Sequence, residues 1–135
     1  MKKIIFLSFL MVSLFSCKIS DDTPNFYYEA QPVVSATLPD SFQFGETYEI
    51  TMTYMKPSGC HVYNNLYYDV DLNQRDIAIV TVVFPDEDCE EIAEEEEVSF
   101  NFKVNNTGIY TFRFWQGPDD NGVDTYLVVE VPVEE

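Results

Sequence analysis

One histidine, His61, stands beside Cys60 and close to Ser58, and a hydroxyl or thiol with a base in reach is the starting requirement for nucleophilic catalysis. Adjacent side chains of an extended strand point to opposite faces, so Cys60 and His61 do not readily meet if this stretch is a strand. The chain contains no Gly-x-Ser-x-Gly and no His-Glu-x-x-His. Paired carboxylates can hydrolyse glycosides at a fixed separation, but among 24 acidic residues some pair always falls at that spacing. The expectation is a protein that is not an enzyme.

Hard oxygen ligands are plentiful, which makes calcium the metal to consider. Asp119, Asp120, Asn121 and Asp124 surround Gly122 in one short segment. No glutamate closes the segment as in a calcium loop, and Asn121-Gly122 is a hairpin turn signal. A turn and a weak calcium site therefore compete here, and no other cofactor is indicated. Asp86, Glu87, Asp88, Glu90 and Glu91 form a second acidic cluster, which a solvated loop also explains.

Aromatic residues are the remaining candidates for binding. If Tyr110, Phe112 and Phe114 face a core, Trp115 faces outward beside Arg113. Tyr63, Tyr67 and Tyr68 lie on an irregular stretch, and some of them must be exposed. Aromatic platforms with acidic and amide neighbours can stack sugars or dock a protein partner. The competing reading is the ordinary preference of Tyr and Trp for strands.

The elements that must position these residues are strands. Tyr48, Ile50, Met52 and Tyr54 alternate with Glu49, Thr51 and Thr53, the period of a half-buried strand. Val98 to Val104, Tyr110 to Phe114 and Tyr126 to Val133 repeat the pattern. Val33 to Leu38 is a short first run, and Ile77 to Phe84 is apolar enough for a strand covered on both faces. Cys60 to Val70 is interrupted at Asn64-Asn65, which predicts a bulge or a broken strand. Glu90 to Glu96 could form a helical turn or two. Seven short strands with turns between them predict an all-β fold, a β-sandwich of about seven antiparallel strands.

Gly108-Ile109-Tyr110-Thr111-Phe112 resembles the tyrosine corner of immunoglobulin-like domains, in which a tyrosine hydroxyl bonds the backbone across a corner. Phe112 stands where an antibody domain has its second cysteine, so the likeness is to the broad immunoglobulin-like sandwich. An ordinary core tyrosine is the other reading of Tyr110.

Met1-Lys2-Lys3 precedes an apolar run from Ile4 to Phe15, and Leu14-Phe15-Ser16-Cys17 ends it. That layout is a secretory signal and resembles a bacterial lipobox, in which the cysteine is lipidated and becomes the first mature residue. The run is short of the ~20 residues that span a bilayer as a helix. An ordinary cleaved signal is the alternative. Ser20-Asp21-Asp22 is similar to the surface-export tag of Bacteroidetes lipoproteins, and a solvated acidic tether explains it as well. The resemblance implies a signal peptide at 1–16, a tether lipidated on Cys17 at 17–30 and one folded domain at 31–135. It implies an outer-membrane address, surface-exposed or on the periplasmic face. With Cys17 lipidated in an oxidising compartment, Cys60 and Cys89 read as a disulfide.

Removing residues 1–16 moves the formal charge from -17 to -19. Such a surface repels phosphate backbones and anionic head groups, so nucleic acid is not the partner and the lipid makes the membrane link. Hydrophobic residues at 46% and aromatics at 16% exclude a disordered chain. The function expected is a lipid-anchored binding or interaction module for another protein. The alternatives are a small glycan-binding module using Trp115, Arg113, Tyr63, Tyr67 and Tyr68, or a calcium-stabilised structural domain.

Overall fold

Period-two alternation runs through most of the chain, and it produces nine strands without a helix among the described residues. The computed structural model describes residues 25–85 and 87–135, so Cys17, the signal-like segment, the acidic tag and Asp86 lie outside the described residues. The strands are β1 (Tyr27–Gln31), β2 (Val33–Thr37), β3 (Phe42–Gln43), β4 (Thr47–Lys56), β5 (His61–Asp71), β6 (Gln74–Val83), β7 (Glu94–Lys103), β8 (Ile109–Pro118) and β9 (Asp124–Glu134). They form a three-stranded sheet, β2-β4-β7, and a six-stranded sheet, β1-β6-β8-β9-β3 with β5 also on β6. The β-sandwich expected from the pattern is present.

Its details differ from the sequence expectation of seven antiparallel strands. The two added strands, β1 and β3, span five and two residues, too short for a period to show. β1 opens inside the stretch read as a tether, pairing Tyr27 and Tyr28 with Val83 and Val82. Glu94 to Glu97 pair with Lys56 to Thr53 as the start of β7 and not as a helical turn. The Glu96 carboxylate accepts the Tyr54 hydroxyl at 2.8 Å and faces Lys56 Nζ at 3.5 Å, which draws this acidic run onto the sheet. Two pairings, β3–β9 and β6–β8, are parallel, a departure from purely antiparallel immunoglobulin sheets.

The parallel pair follows from the connection. Parallel neighbours need a crossover, and here the chain leaves β6, runs through β7 in the other sheet and returns as β8. A disulfide between Cys60 and Cys89, with Cα atoms 5.5 Å apart, clips that crossover to the start of β5. Closing a loop of this length stabilises the fold by roughly 3–4 kcal/mol in the chain-entropy model.

Aromatic side chains fill the space between the sheets. Phe42, Phe102, Tyr110 and Phe112 are buried, with ring centroids 5.0–6.3 Å apart in edge-to-face, tilted and stacked pairs. Each such contact is worth about 0.5–1.5 kcal/mol beyond burial. Ile50, Met52 and Tyr54 meet Ile77, Ile79 and Phe114 further along the core. β6 buries Ile77, Ile79, Thr81 and Val83 while Ala78, Val80 and Val82 stay half-buried. It is therefore covered fully on one face only.

Tyr110 forms the corner that its sequence resembles. Its hydroxyl accepts the backbone N–H groups of Asn105 at 3.2 Å and Asn106 at 2.9 Å, tying the β7–β8 turn to the core. Tyr110→Phe keeps the ring and strands two donors. Stability should fall by about 1–2 kcal/mol, measured by urea unfolding; an unchanged midpoint would mean that water replaces the hydroxyl.

Candidate functional site

Strand β6 pairs along its whole length with β5 on one edge. Its other edge is divided: β1 takes Ile79 to Val83 and β8 takes Gln74 to Ile77. Between the two, Ala78 has no partner on that side. The seam opens a groove of about 380 Å³ on the outer face of the six-stranded sheet, within the size range of small-molecule sites.

Small residues make its floor and large ones its walls. Ala30 and Ala78 lie at the bottom, Tyr67 stands on the β5 side, and Trp115 and Tyr126 stand on the β8–β9 side. Trp115 and Tyr126 are opposite one another in register. A bulge follows Trp115, ending at Gly117 with φ +91°. A Cβ there would come 3.3 Å from Pro32 Cγ, so glycine lets β8 pass beneath the chain crossing from β1 to β2.

The polar groups of the groove are held in place. Arg113 Nη1 donates to both Asp76 carboxylate oxygens at 3.1 and 3.3 Å, and its guanidinium lies 4.0 Å from the Tyr126 ring centroid, a favourable cation–π stack. Trp115 Nε1 donates to Asp124 Oδ1 at 3.0 Å. Arg113 is thus neutralised by Asp76, and Asp124 leaves the groove rich in acceptors. Aromatic planes with fixed acceptors beside them can hold a ring that has C–H faces and a hydroxyl rim.

Of the ligand-binding residues singled out in the sequence, Trp115, Arg113 and Tyr67 meet here. Tyr63 and Tyr68 do not. In an unbroken strand Tyr63 and Tyr67 would share a face, but the register shifts between Tyr63 and Asn65. Tyr63 is therefore opposite Thr81, on the inner side, whereas Tyr67 is opposite Ala78, on the outer side. Tyr68 packs edge-to-face on Phe100, with centroids 5.7 Å apart. Burial raises the phenol pKa of Tyr63 and of Tyr68, with Arg75 acting in the opposite sense on Tyr68. Tyr126 and Asp76 were not among the sequence candidates. Tyr126 was accessible from its alternation with Leu127, whereas Asp76 joins the groove only through the pairing of β6 with β8.

The candidate metal loop is organised by backbone donors. Asp119 Oδ1 accepts the N–H groups of Asn121 and Val123 at 2.8 and 2.9 Å, and Gly122 N donates to Asp119 O at 3.0 Å. Asp124 turns away to Trp115, and Asp120 is exposed. Among the described residues no three His, Cys, Asp or Glu side chains converge as metal ligands. Asp119, Asp120, Asn121 and Asp124 thus belong to a hairpin turn between β8 and β9, organised by the Asp119 carboxylate.

Ser58, His61 and Glu29 do line up. Ser58 Oγ is 2.7 Å from His61 Nδ1, and His61 Nε2 is 3.7 Å from Glu29 Oε2. The serine oxygen also accepts the Cys60 N–H at 3.1 Å, as in a side-chain-capped turn. The N–H groups of Gly59 and His61 bond Glu90 O and Ser58 O. The N–H groups of Gly59, Cys60 and His61 are thus all engaged in holding the turn.

No family model, curated protein or solved structure matches the chain. The groove is therefore read on its own geometry.

Trp115 is the single tryptophan, so its emission reports on the groove. Asp124→Ala should shift that emission to the red, as the indole N–H turns to water, with stability unchanged within about 0.5 kcal/mol. An unaltered spectrum would show that the carboxylate does not hold the ring.

Proposed function

We propose that this chain is a lipid-anchored, non-catalytic binding module of a bacterial cell surface that takes a neutral glycan in the Trp115 groove. The observation that carries this reading is the meeting of Trp115, Tyr67 and Tyr126 around an alanine floor, with Asp76, Asp124 and Arg113 at its edge. A pyranose ring has a C–H face for an aromatic plane and hydroxyls that donate to carboxylates and accept from a guanidinium. The net charge of -17 disfavours anionic glycans and phosphate-bearing partners. A concave groove of this size suits a small ligand better than the broad surface that a protein partner takes.

The lipobox-like Leu14 to Cys17 and the tag-like Ser20 to Asp22 support attachment through Cys17 and outward display at the outer membrane. The pairing of Cys60 with Cys89, whose Cα atoms lie 5.5 Å apart, fits an oxidising compartment. Protease shaving of intact cells should release domain peptides. Protection until lysis would move the protein to the periplasmic face and remove the export argument.

One observation favours a protein partner, the leading expectation from sequence. β5 is an eleven-residue strand, mostly exposed, with one edge unpaired among the described residues, and an added strand could extend it.

A glycan array probed with the full-length protein separates the two. Neutral glycans should bind, and Trp115→Ala should weaken them at least tenfold. Ala78→Leu, which fills the floor and leaves the aromatic walls, should do the same. A silent array, or binding indifferent to both substitutions, would overturn the glycan reading.

A further inference from the structure

The sandwich has a second opening, between β5 and β7, each of which is paired along one edge only among the described residues. Leu66, Tyr68 and Val70 on β5 and Phe100 and Phe102 on β7 line a cleft of about 460 Å³ there. Leu66 to Val70 spans about 13 Å of extended strand, an apolar wall the length of a medium alkyl chain. The bulge at Asn64 creates this wall by turning alternate β5 side chains toward the second sheet.

Arg75 lies at the inner end. It is only 8% exposed, yet among the described residues the ion pairs are made by Lys56, His61 and Arg113 and none by Arg75. Its Nη1 donates to the carbonyls of Leu72 and Gln74. The guanidinium carbon is 5.7 Å from the Phe102 centroid and 5.4 Å from that of Tyr110. Burial raises the phenol pKa of neighbouring Tyr68, and the charge and hydrogen bond of Arg75 act against that rise. Among the described residues this buried cation, set among rings and neutral acceptors, has no counter-charge, and such a charge is costly to keep out of water. In a chain with 24 acidic residues, an arginine left without one is a specific feature. Lys103 adds a second positive charge to the same cleft.

We infer that the β5–β7 cleft binds a fatty-acid-type carboxylate, its head paired with Arg75 and its alkyl chain along Leu66, Tyr68, Val70 and Phe100. A guanidinium offers a planar fork that matches a carboxylate, and the walls supply apolar area for the chain. This site is separate from the Trp115 groove and does not depend on the glycan reading.

Octanoate, soluble enough to stay out of the bilayer, is the probe. Titrated into the full-length protein in nanodiscs, it should bind saturably and raise the melting temperature. Octanol and octylamine should bind at least tenfold more weakly. Val70 is opposite Arg75 in the β5–β6 register and 55% exposed. Val70→Glu should supply the missing carboxylate from within, raising the melting temperature and weakening octanoate at least tenfold. Arg75→Gln should weaken octanoate likewise if it folds, and Val70→Glu decides the matter if it does not. Octanol binding as tightly as octanoate, no saturable octanoate binding, or Val70→Glu leaving its affinity unchanged would each overturn the inference.

Discussion

Strand β6 has two edges and three strands paired to them, and the outer surface follows from how the third is accommodated. β5 occupies one edge in full, so β1 and β8 must divide the other between them. β8 can run parallel to β6 because the chain crosses to the other sheet and back through β7. Where β1 ends and β8 begins, neither provides a neighbour for Ala78. A continuous sheet would have been level there. The seam instead leaves a depression whose walls are whatever flanks it, and those are Tyr67, Trp115 and Tyr126.

The second constraint is the aromatic layer between the sheets. Four packed rings, Phe42, Phe102, Tyr110 and Phe112, span strands from both sheets and fix their separation. Tyr110 carries one polar atom into this layer and satisfies it on the backbone of the preceding turn. Arg75 brings a full charge to its margin and, among the described residues, meets carbonyls, ring faces and the Tyr68 phenol rather than a carboxylate. The two residues show two ways of placing a polar group at a core: one closes a turn, the other leaves a charge facing a cleft.

A few of the abundant acidic residues keep other groups in place. Glu96 holds Tyr54 and Lys56, Asp76 holds Arg113, Asp124 holds Trp115, and Asp119 organises its own turn. Each of these carboxylates meets donors on the protein itself. The rest of the negative charge is spread over a solvated surface, where it favours solubility and repels polyanions.

Strand content, the bulge at Asn64-Asn65, the Tyr110 corner and the turn at Asn121-Gly122 were legible in the sequence because each is a local rule. Alternation, turn residues and one tyrosine carry them within a few neighbours. The Cys60–Cys89 bridge was legible as an even pair in an oxidising compartment. The proposed lipid anchor is argued from the residues around Cys17. What only the tertiary structure decided was which strands lie side by side. β1 and β3 are too short to announce themselves, the side-by-side placement of β6 and β8 depends on a crossover through the other sheet, and Tyr63 is parted from Tyr67 by a register shift whose direction no period records. Asp76 and Tyr126 belong to the groove because β6 meets β8 and β8 meets β9. Sequence specifies which face a side chain takes along its own strand; the pairing of distant strands decides what stands beside it, because that contact is made across space and leaves no local pattern.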